Sequence, residues 1–170
     1  MGHAGVETAV ADAGPLIHLS EVECLPLLKV FEILHIPDAI WVETVEQRSI
    51  EVPKAGHICR HSLESPEVIR FSQEHRLEKL QAGEKECLYL CQHLGISTLL
   101  TDDLSVREVA KSLKLTPVGS LGVVIRAYKR DFLSLSQAES HLIQLYETSS
   151  LFVTRTIIEV AIEQLHLAAD

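Results

Sequence analysis

Residues 84–118 read EKECLYLCQHLGISTLLTDDLSVREVAKSLKLTPV, and this segment alternates twice between a helical and a strand pattern. The first helix ends at Gly95, a residue that suits helix C-termini, and the second opens on a capping box of Ser105 and Glu108. The predicted order is helix, strand, helix, strand over Glu84–Leu94, Ser97–Leu100, Ser105–Leu113 and Leu115–Val118. Strands separated by helices indicate a doubly wound α/β fold with a parallel sheet.

The rest of the chain continues this alternation. Its predicted strands are Thr8–Ala11, Phe31–Ile36 and Glu67–Phe71. Its predicted helices are Leu16–Leu28, with an interruption near Pro26, and Asp38–Gln47, Leu121–Lys129, Ser136–Tyr146 and Val153–Leu165. Arg48–Pro66 is predicted to be irregular. The first strand is not followed by the dinucleotide motif GxGxxG, and the chain has no phosphate-binding GxxxxGKS/T loop, so both of those nucleotide-binding folds lose their main support.

The charge balance restricts the kinds of function that the chain can have. Asp and Glu number 24 against 15 Lys and Arg, a formal net charge of −9 over 170 residues. A general nucleic-acid coat protein should be basic, so this class is excluded, whereas a nuclease needs acidic residues to hold metal. Aromatic residues make up 5% of the chain, which argues against a base-stacking platform for single strands.

The same composition predicts a cytoplasmic protein with reduced thiols and no membrane partner. No apolar run approaches the roughly 18–20 residues that span a bilayer. The first residues, MGHAGVETAVAD, have neither the basic region nor the cleavage site of a secretory signal. The cysteines form no CxxC pair and are too few for a disulfide scaffold; they are Cys24, Cys59, Cys87 and Cys91.

Acidic residues follow two of the predicted strands. Asp12 closes the first strand, and Asp102 and Asp103 close the strand that ends at Leu100. In open α/β sheets, ligands bind beyond the carboxyl ends of the strands. The alternative interpretation is that these aspartates are turn or helix-capping residues, and it is weaker for the pair because Ser105 and Glu108 already supply a cap.

Two predicted helices add further carboxylates. Glu84 lies in the first turn of its helix, on the face that Cys87 and Cys91 mark as buried. Glu86 is about 200° further around and is expected to face away. Glu43 lies on the predicted helix Asp38–Gln47. Each of the three glutamates also has an ordinary interpretation, as a complement to a helix dipole or as part of a solvated face.

Together these carboxylates predict a cation site at one edge of the sheet. Several negative side chains brought together repel one another unless a cation is present. Ligands that are all oxygen suit Mg²⁺ or Mn²⁺ rather than zinc. An ion held in this way lowers the pKa of a bound water and clamps a phosphodiester.

Three stretches of the chain resemble one family. They are VADAGPLIHLS from Val10, HIPDAIWVETV from His35, and the long stretch from Ala82 to Arg130, AGEKECLYLCQHLGISTLLTDDLSVREVAKSLKLTPVGSLGVVIRAYKR. In this order they closely resemble the PIN-domain family, most of all the bacterial and archaeal branch of predicted nucleic-acid-binding proteins related to the VapC-type toxin ribonucleases. The resemblance covers about Val6 to Arg130.

The resemblance implies an architecture. PIN domains are three-layer α/β/α sandwiches around a mostly parallel sheet. We therefore expect a PIN-like domain over residues 1–130 and a C-terminal helical extension over residues 131–170 that packs on the same domain.

The resemblance also implies an activity, a Mg²⁺- or Mn²⁺-dependent endoribonuclease that is the toxin of a toxin–antitoxin pair. By position, the catalytic residues are Asp12, Glu43, Glu84 and Asp103, and the metal ligands are Asp12, Asp103, Asp102 and either Glu84 or Glu86. The implied partners are an RNA substrate, a cognate antitoxin and a second copy of the chain. Many toxin relatives carry a further Asp where this chain has Ser105. This departure keeps open a second hypothesis, a catalytically weak or inactive PIN-fold module that binds nucleic acid or protein.

A basic strip is the predicted RNA-binding surface. Residues 104–130 carry six Lys and Arg and one Glu, a net charge of +5, which leaves −14 on the rest of the chain. The candidates for backbone contacts are Arg107, Lys111, Arg126, Lys129 and Arg130. The alternative interpretation is that these side chains lie on ordinary solvated helix faces.

Overall fold

A parallel five-stranded sheet with helices on both faces forms the protein, as predicted. The computed structural model describes residues 7–53 and 57–170. The first six residues, which entered the prediction of the amino terminus, and residues 54–56 of the segment predicted to be irregular lie outside the described residues. The strands have the order β3-β2-β1-β4-β5, and they are β1 Thr8–Ala11, β2 Ile33–Pro37, β3 Ile58–His61, β4 Thr98–Leu100 and β5 Thr116–Val118.

Helices connect and cover these strands. The α-helices are α1 Ala13–Glu21, α2 Asp38–Trp41, α3 Ser65–Glu74, α4 Ala82–Leu94, α5 Leu104–Ser112, α6 Ser120–Lys129, α7 Leu135–Glu147 and α8 Arg155–Ala169. A 3₁₀-helix spans Leu25–Val30, and a π-helix spans Val42–Glu46. In the described part of the chain, every helix is too short or too polar to cross a membrane.

The prediction of a strand at Glu67–Phe71 is wrong, because this segment lies inside α3. Pro66 sits in the first turn of the helix, where its missing N–H costs nothing. Val68, Phe71 and Ser72 have helical spacing, and Phe71 and Ser72 are buried. The alternation covers only five residues, which is too short to distinguish the two-residue period of a strand from the 3.6-residue period of a helix. The third strand is instead β3, within the segment predicted to be irregular.

The predicted helix Asp38–Gln47 changes its winding after one turn. The four residues of α2 are α-helical, and the π-helix then follows with the Gln47 N–H donating to the Val42 carbonyl at 2.9 Å. The buried Thr44 hydroxyl donates to the Ile40 carbonyl at 2.7 Å across the change. Single π-turns inside helices are frequent at functional sites, and this one carries Glu43.

The core lies on both faces of the central strands. Val10, Leu99 and Leu100 are completely buried, as is usual for parallel strands covered on both sides. The C-terminal helices add to the same core rather than forming another, because α7 and α8 pack against each other and against α6. The side chains that they bury are Ala138, Leu142, Leu145, Ile158, Ala161 and Leu165.

A histidine pair joins the edge strand β3 to its neighbour and makes stability depend on pH. Nδ1 of His35 and Nε2 of His61 lie 2.7 Å apart. Burial lowers the pKa of both rings, and the charge of His61 lowers the pKa of His35 further. Since the folded state favours the neutral rings, we expect the free energy of unfolding to fall as the pH drops below about 6.5. Urea titrations from pH 7.5 to 5 should show a shallower decline in His35→Gln, and an unchanged slope would contradict this.

Candidate active site

The two central strands place acidic residues side by side. The chain runs outward from β1 to β2 and β3, then returns to β4 and runs outward to β5, so the neighbours β1 and β4 mark the point where the strand order reverses. Asp12 directly follows β1, and its N–H donates to the Leu100 carbonyl at the end of β4 at 2.9 Å. This position is where open α/β sheets bind ligands.

Asp12 is a buried carboxylate, with 6% of its surface exposed. Its Oδ1 accepts a hydrogen bond from the Ala13 N–H at 2.8 Å, so Asp12 caps α1, and its Oδ2 accepts one from the Thr101 hydroxyl at 2.9 Å. Burial, together with the nearby charges of Glu84 and Glu43, raises the pKa of Asp12 to about 6, against the effect of these two hydrogen bonds. Asp12 therefore lies among like charges.

Thr101 connects the two strand-end aspartates and was missed in the sequence analysis. Its completely buried hydroxyl donates to Asp12 and accepts the Asp103 N–H at 3.3 Å. The signal that could have found it is its place between a buried strand and the Asp pair. A hydroxyl at this position can donate a hydrogen bond to Asp12 and accept one from the N–H of Asp103.

Asp103 is held in its ionised form. Its Oδ1 accepts hydrogen bonds from the Ser105 hydroxyl and, at 3.0 Å, from the Val106 N–H. The Ser105 hydrogen bond is the main cause that lowers the pKa of Asp103. The predicted capping box of Ser105 with Glu108 is therefore wrong: Asp103 caps α5, because the helix begins one residue earlier, at Leu104.

Glu84 faces the same edge from α4. Its Oε2 accepts the Gln81 N–H at 2.8 Å in a capping box. Burial raises the pKa of Glu84, and the charges of Asp103 and Glu43 add to the rise. Gly83 allows this placement, because a Cβ added there would lie 2.6 Å from Cδ1 of Ile40. The close approach of α4 to α2 was not predicted from the sequence.

Glu43 completes the acidic group, whereas Glu86 does not join it. The half-buried Glu43 is close enough for its charge to act on both Asp12 and Glu84. The Oε2 of Glu86 instead accepts the Ala39 N–H at 3.2 Å, at the start of α2. Burial raises the pKa of Glu86, and Asp38 is the acidic neighbour that adds to it.

Asp102 is fully engaged with the protein. Its Oδ1 accepts the Ser120 N–H at 2.7 Å, and its Oδ2 accepts the Ser120 hydroxyl at 2.6 Å and lies 2.7 Å from Nδ1 of His18. These contacts connect the end of β4 to the start of α6 and to α1. Asp102 is therefore a structural link between these elements, and its predicted role as a metal ligand stays a prediction.

The acidic group fits a hydrated divalent cation. Within the described residues, no three His, Cys, Asp or Glu side chains stand close enough together to hold one metal ion. Mg²⁺, however, is usually held by one or two carboxylates and keeps several waters. The donors here are all oxygen, and a cation would offset the like-charge repulsion that adds to the effect of burial in raising the pKa values of Asp12 and Glu84.

The basic strip predicted from the sequence is divided between the two ends of the strands: the carboxyl end, where the acidic group lies, and the opposite, amino end. Arg107 lies beside the acidic group, where its Nη1 donates to the Thr101 carbonyl at 3.1 Å. Arg126 and Arg130 instead bind Glu7, which precedes β1, at 2.9 and 2.7 Å. Lys111 and Lys129 occupy the last turns of α5 and α6, whose first turns lie at the acidic edge. The predicted single RNA-binding wall is therefore not formed.

The fold and this site define a class: a parallel α/β protein with a carboxylate site where its strand order reverses. The sequence model of one family, described as a PIN domain, matches residues 8–166. The chain therefore belongs to the PIN-domain family. No curated protein and no solved structure matches it. PIN domains are generally nucleases and typically use divalent metals.

Replacement of Asp12 should reveal the cost of ionising this buried carboxylate. With the pKa of Asp12 raised to about 6 in the folded state, ionisation destabilises the protein as the pH rises from about 4 to 6. In EDTA, Asp12→Asn should therefore gain about 1–3 kcal/mol of unfolding free energy relative to the wild type between pH 4 and pH 8. Urea titration at both pH values measures this gain. A difference between the two proteins that does not change with pH would contradict the raised pKa of Asp12.

Proposed function

We propose that this PIN domain is a metal-dependent endoribonuclease that hydrolyses RNA phosphodiester bonds. The observation that carries the proposal is the Asp12–Thr101–Asp103 linkage at the reversal of strand order, with the charges of Glu84 and Glu43 acting on Asp12. One buried carboxylate with a raised pKa and one exposed carboxylate with a lowered pKa lie at the same edge. Such contrasts are typical of functional sites.

Asp12 and Asp103 would hold the Mg²⁺ or Mn²⁺ ion. Glu84 and Glu43 would bind the ion directly or through a water molecule. The bound ion supplies an acidified water and charge neutralisation on the phosphodiester. Because both oxygens of Asp12 already accept a hydrogen bond, its orientation is set before any ion binds. The ionised form of Asp103, favoured by Ser105, is the form that can bind a cation.

Ser105 supports activity in this interpretation. Where many toxin relatives carry a further Asp, its hydroxyl donates to Oδ1 of Asp103 and caps no helix itself. The serine thus replaces a possible ligand by a group that orients and ionises the neighbouring ligand. Experiment must therefore distinguish an active nuclease from a PIN-fold module that only binds nucleic acid or protein.

We further propose that the protein is a toxin whose C-terminal helices bind a partner, either an antitoxin or a second copy of the chain. Large apolar side chains stand exposed on α7, on α8 and between them: Ile143, Tyr146, Phe152, Ile157 and Val160. Phe152 is 94% exposed. Several large exposed apolar side chains on one part of a fold favour an interaction site there.

Cleavage of a labelled single-stranded RNA tests the proposed activity. With Mn²⁺ or Mg²⁺, the wild type should cut, and Asp12→Asn and Asp103→Asn should each lose about 100-fold or more in rate, because each removes a charge that holds the ion. The matched control is Asp131→Asn, an exposed aspartate at the end of α6 with φ of 61°, which asparagine tolerates.

Two outcomes would contradict the proposed nuclease activity. Equal cutting by the wild type and both variants would indicate a contaminating nuclease. An unchanged melting temperature in millimolar Mn²⁺, together with no cutting, would favour the binding module, since an ion that binds the folded state must stabilise it.

Arg107 and Arg130 should differ in their effect on RNA binding. Arg107 lies beside the acidic group and Arg130 at the opposite edge, paired with Glu7. Arg107→Gln should therefore weaken RNA binding and reduce its salt dependence, and Arg130→Gln should change neither. Fluorescence anisotropy at several salt concentrations measures both effects. Equal losses in the two variants would argue for an RNA path over the other edge.

A further inference from the structure

Two histidines and a cysteine share one face of the sheet at the β3 edge. His35 of β2 is the register partner of Cys59 on β3, and His61 follows two residues later on the same strand. Register partners on neighbouring strands point to the same face, and so do residues two apart on one strand. Leu34 and Ile36 point to the other face and are completely buried. His35 and His61 are half-buried and Cys59 is exposed, so solvent reaches the face that they share.

The two histidine rings are close to the geometry of a pair of metal ligands. Nδ1 of His35 and Nε2 of His61 lie 2.7 Å apart. A tetrahedral ion with bonds of about 2.0–2.1 Å to two imidazoles holds their nitrogens about 3.3 Å apart, so these two nitrogens need to separate by about 0.6 Å. Burial lowers the pKa of both rings, which favours the neutral imidazole that binds metal.

Cys59 is placed to supply a third ligand. In the described parts of the chain, the side chains as they stand bring no third His, Cys, Asp or Glu close enough to complete a metal site. The thiol of Cys59 is free and exposed, and its residue lies opposite His35 on a strand about 4.8 Å away. Rotation about its one χ1 bond moves the sulfur between staggered positions. The sulfur can therefore approach the two nitrogens without any change in the backbone.

We propose that His35, His61 and Cys59 bind one Zn²⁺ ion, with the fourth position taken by water. Imidazole nitrogen and thiolate sulfur are the donors that Zn²⁺ prefers, whereas the all-oxygen acidic group suits Mg²⁺ or Mn²⁺. On binding, the Cys59 thiol releases its proton to solvent, and the ring that donated the hydrogen bond moves its proton to its other nitrogen. The ion would link the edge strand β3 to β2, and this role does not depend on the proposed nuclease function.

Titration of the reduced, metal-free full chain with Co²⁺ tests the ligand set, because Co²⁺ takes the same donors as Zn²⁺ and absorbs light. A thiolate ligand gives a charge-transfer band in the near ultraviolet, which oxygen ligands alone do not give. The wild type should show this band with one Co²⁺ bound, and Cys59→Ser should lose it. The other cysteines, Cys24, Cys87 and Cys91, are buried. A wild type without the band, or a band that persists in Cys59→Ser, would overturn the proposed site.

Calorimetric titration with Zn²⁺ tests the histidines. His61→Gln should weaken binding by about 10–100-fold or more, since the loss of even a residue that supports a ligand costs this much. The matched control is His166→Gln on α8, which removes an exposed histidine that contacts Glu139 and should leave the affinity unchanged. Equal affinities of the wild type and His61→Gln would contradict the proposal.

Thermal unfolding in Zn²⁺ separates this site from the acidic group. An ion that binds the folded state raises the melting temperature, so Zn²⁺ should stabilise Asp12→Asn as it does the wild type, and His61→Gln much less. A rise that is lost in Asp12→Asn and kept in His61→Gln would place the ion at the acidic group and rule out the histidine site. None of these measurements uses RNA, so their outcome is separate from that of the cleavage assay.

Discussion

The pairing of β1 with β4 is the constraint on which the site depends. The Asp12 N–H donates to the Leu100 carbonyl, so residues distant in sequence leave the sheet at the same place. The Thr101 hydroxyl then joins Asp12 to the backbone of Asp103. Because β1 is completely buried from Ala9 to Ala11, this arrangement has little freedom to relax away from its like charges.

The acidic residues divide into those that form the candidate site and those that hold it in place. Asp102 accepts hydrogen bonds from Ser120 and contacts His18, so it links the end of β4 to α6 and α1. Glu86 similarly binds the start of α2 at the Ala39 N–H. Gly83 lets α4 approach α2 closely enough for Glu84 to reach the Asp12 edge. Placement of four carboxylates thus uses two other carboxylates and a glycine as supports.

The basic side chains are unevenly distributed around the acidic group. Arg107 is the predicted RNA contact that lies at the acidic edge, whereas Arg126 and Arg130 neutralise Glu7 at the other edge. An acidic protein of this kind would bind RNA through a few local contacts rather than through its overall field.

The sequence by itself determined the fold class, since alternating strand and helix patterns leave few topologies, and it determined that Asp12 and Asp103 end strands. Local pattern failed where several structures share it: Glu67–Phe71 suits a strand or a helix, and Ser105 suits a cap that Asp103 provides. Helix spacing already favoured Glu84 over Glu86 as the inward residue, whereas the tertiary structure alone decided that Glu84 lies near Asp12 and Glu43, that Thr101 connects the aspartates, and that the basic strip is divided. These depend on which strands are neighbours and which way each helix runs, and contacts between residues far apart in sequence set both.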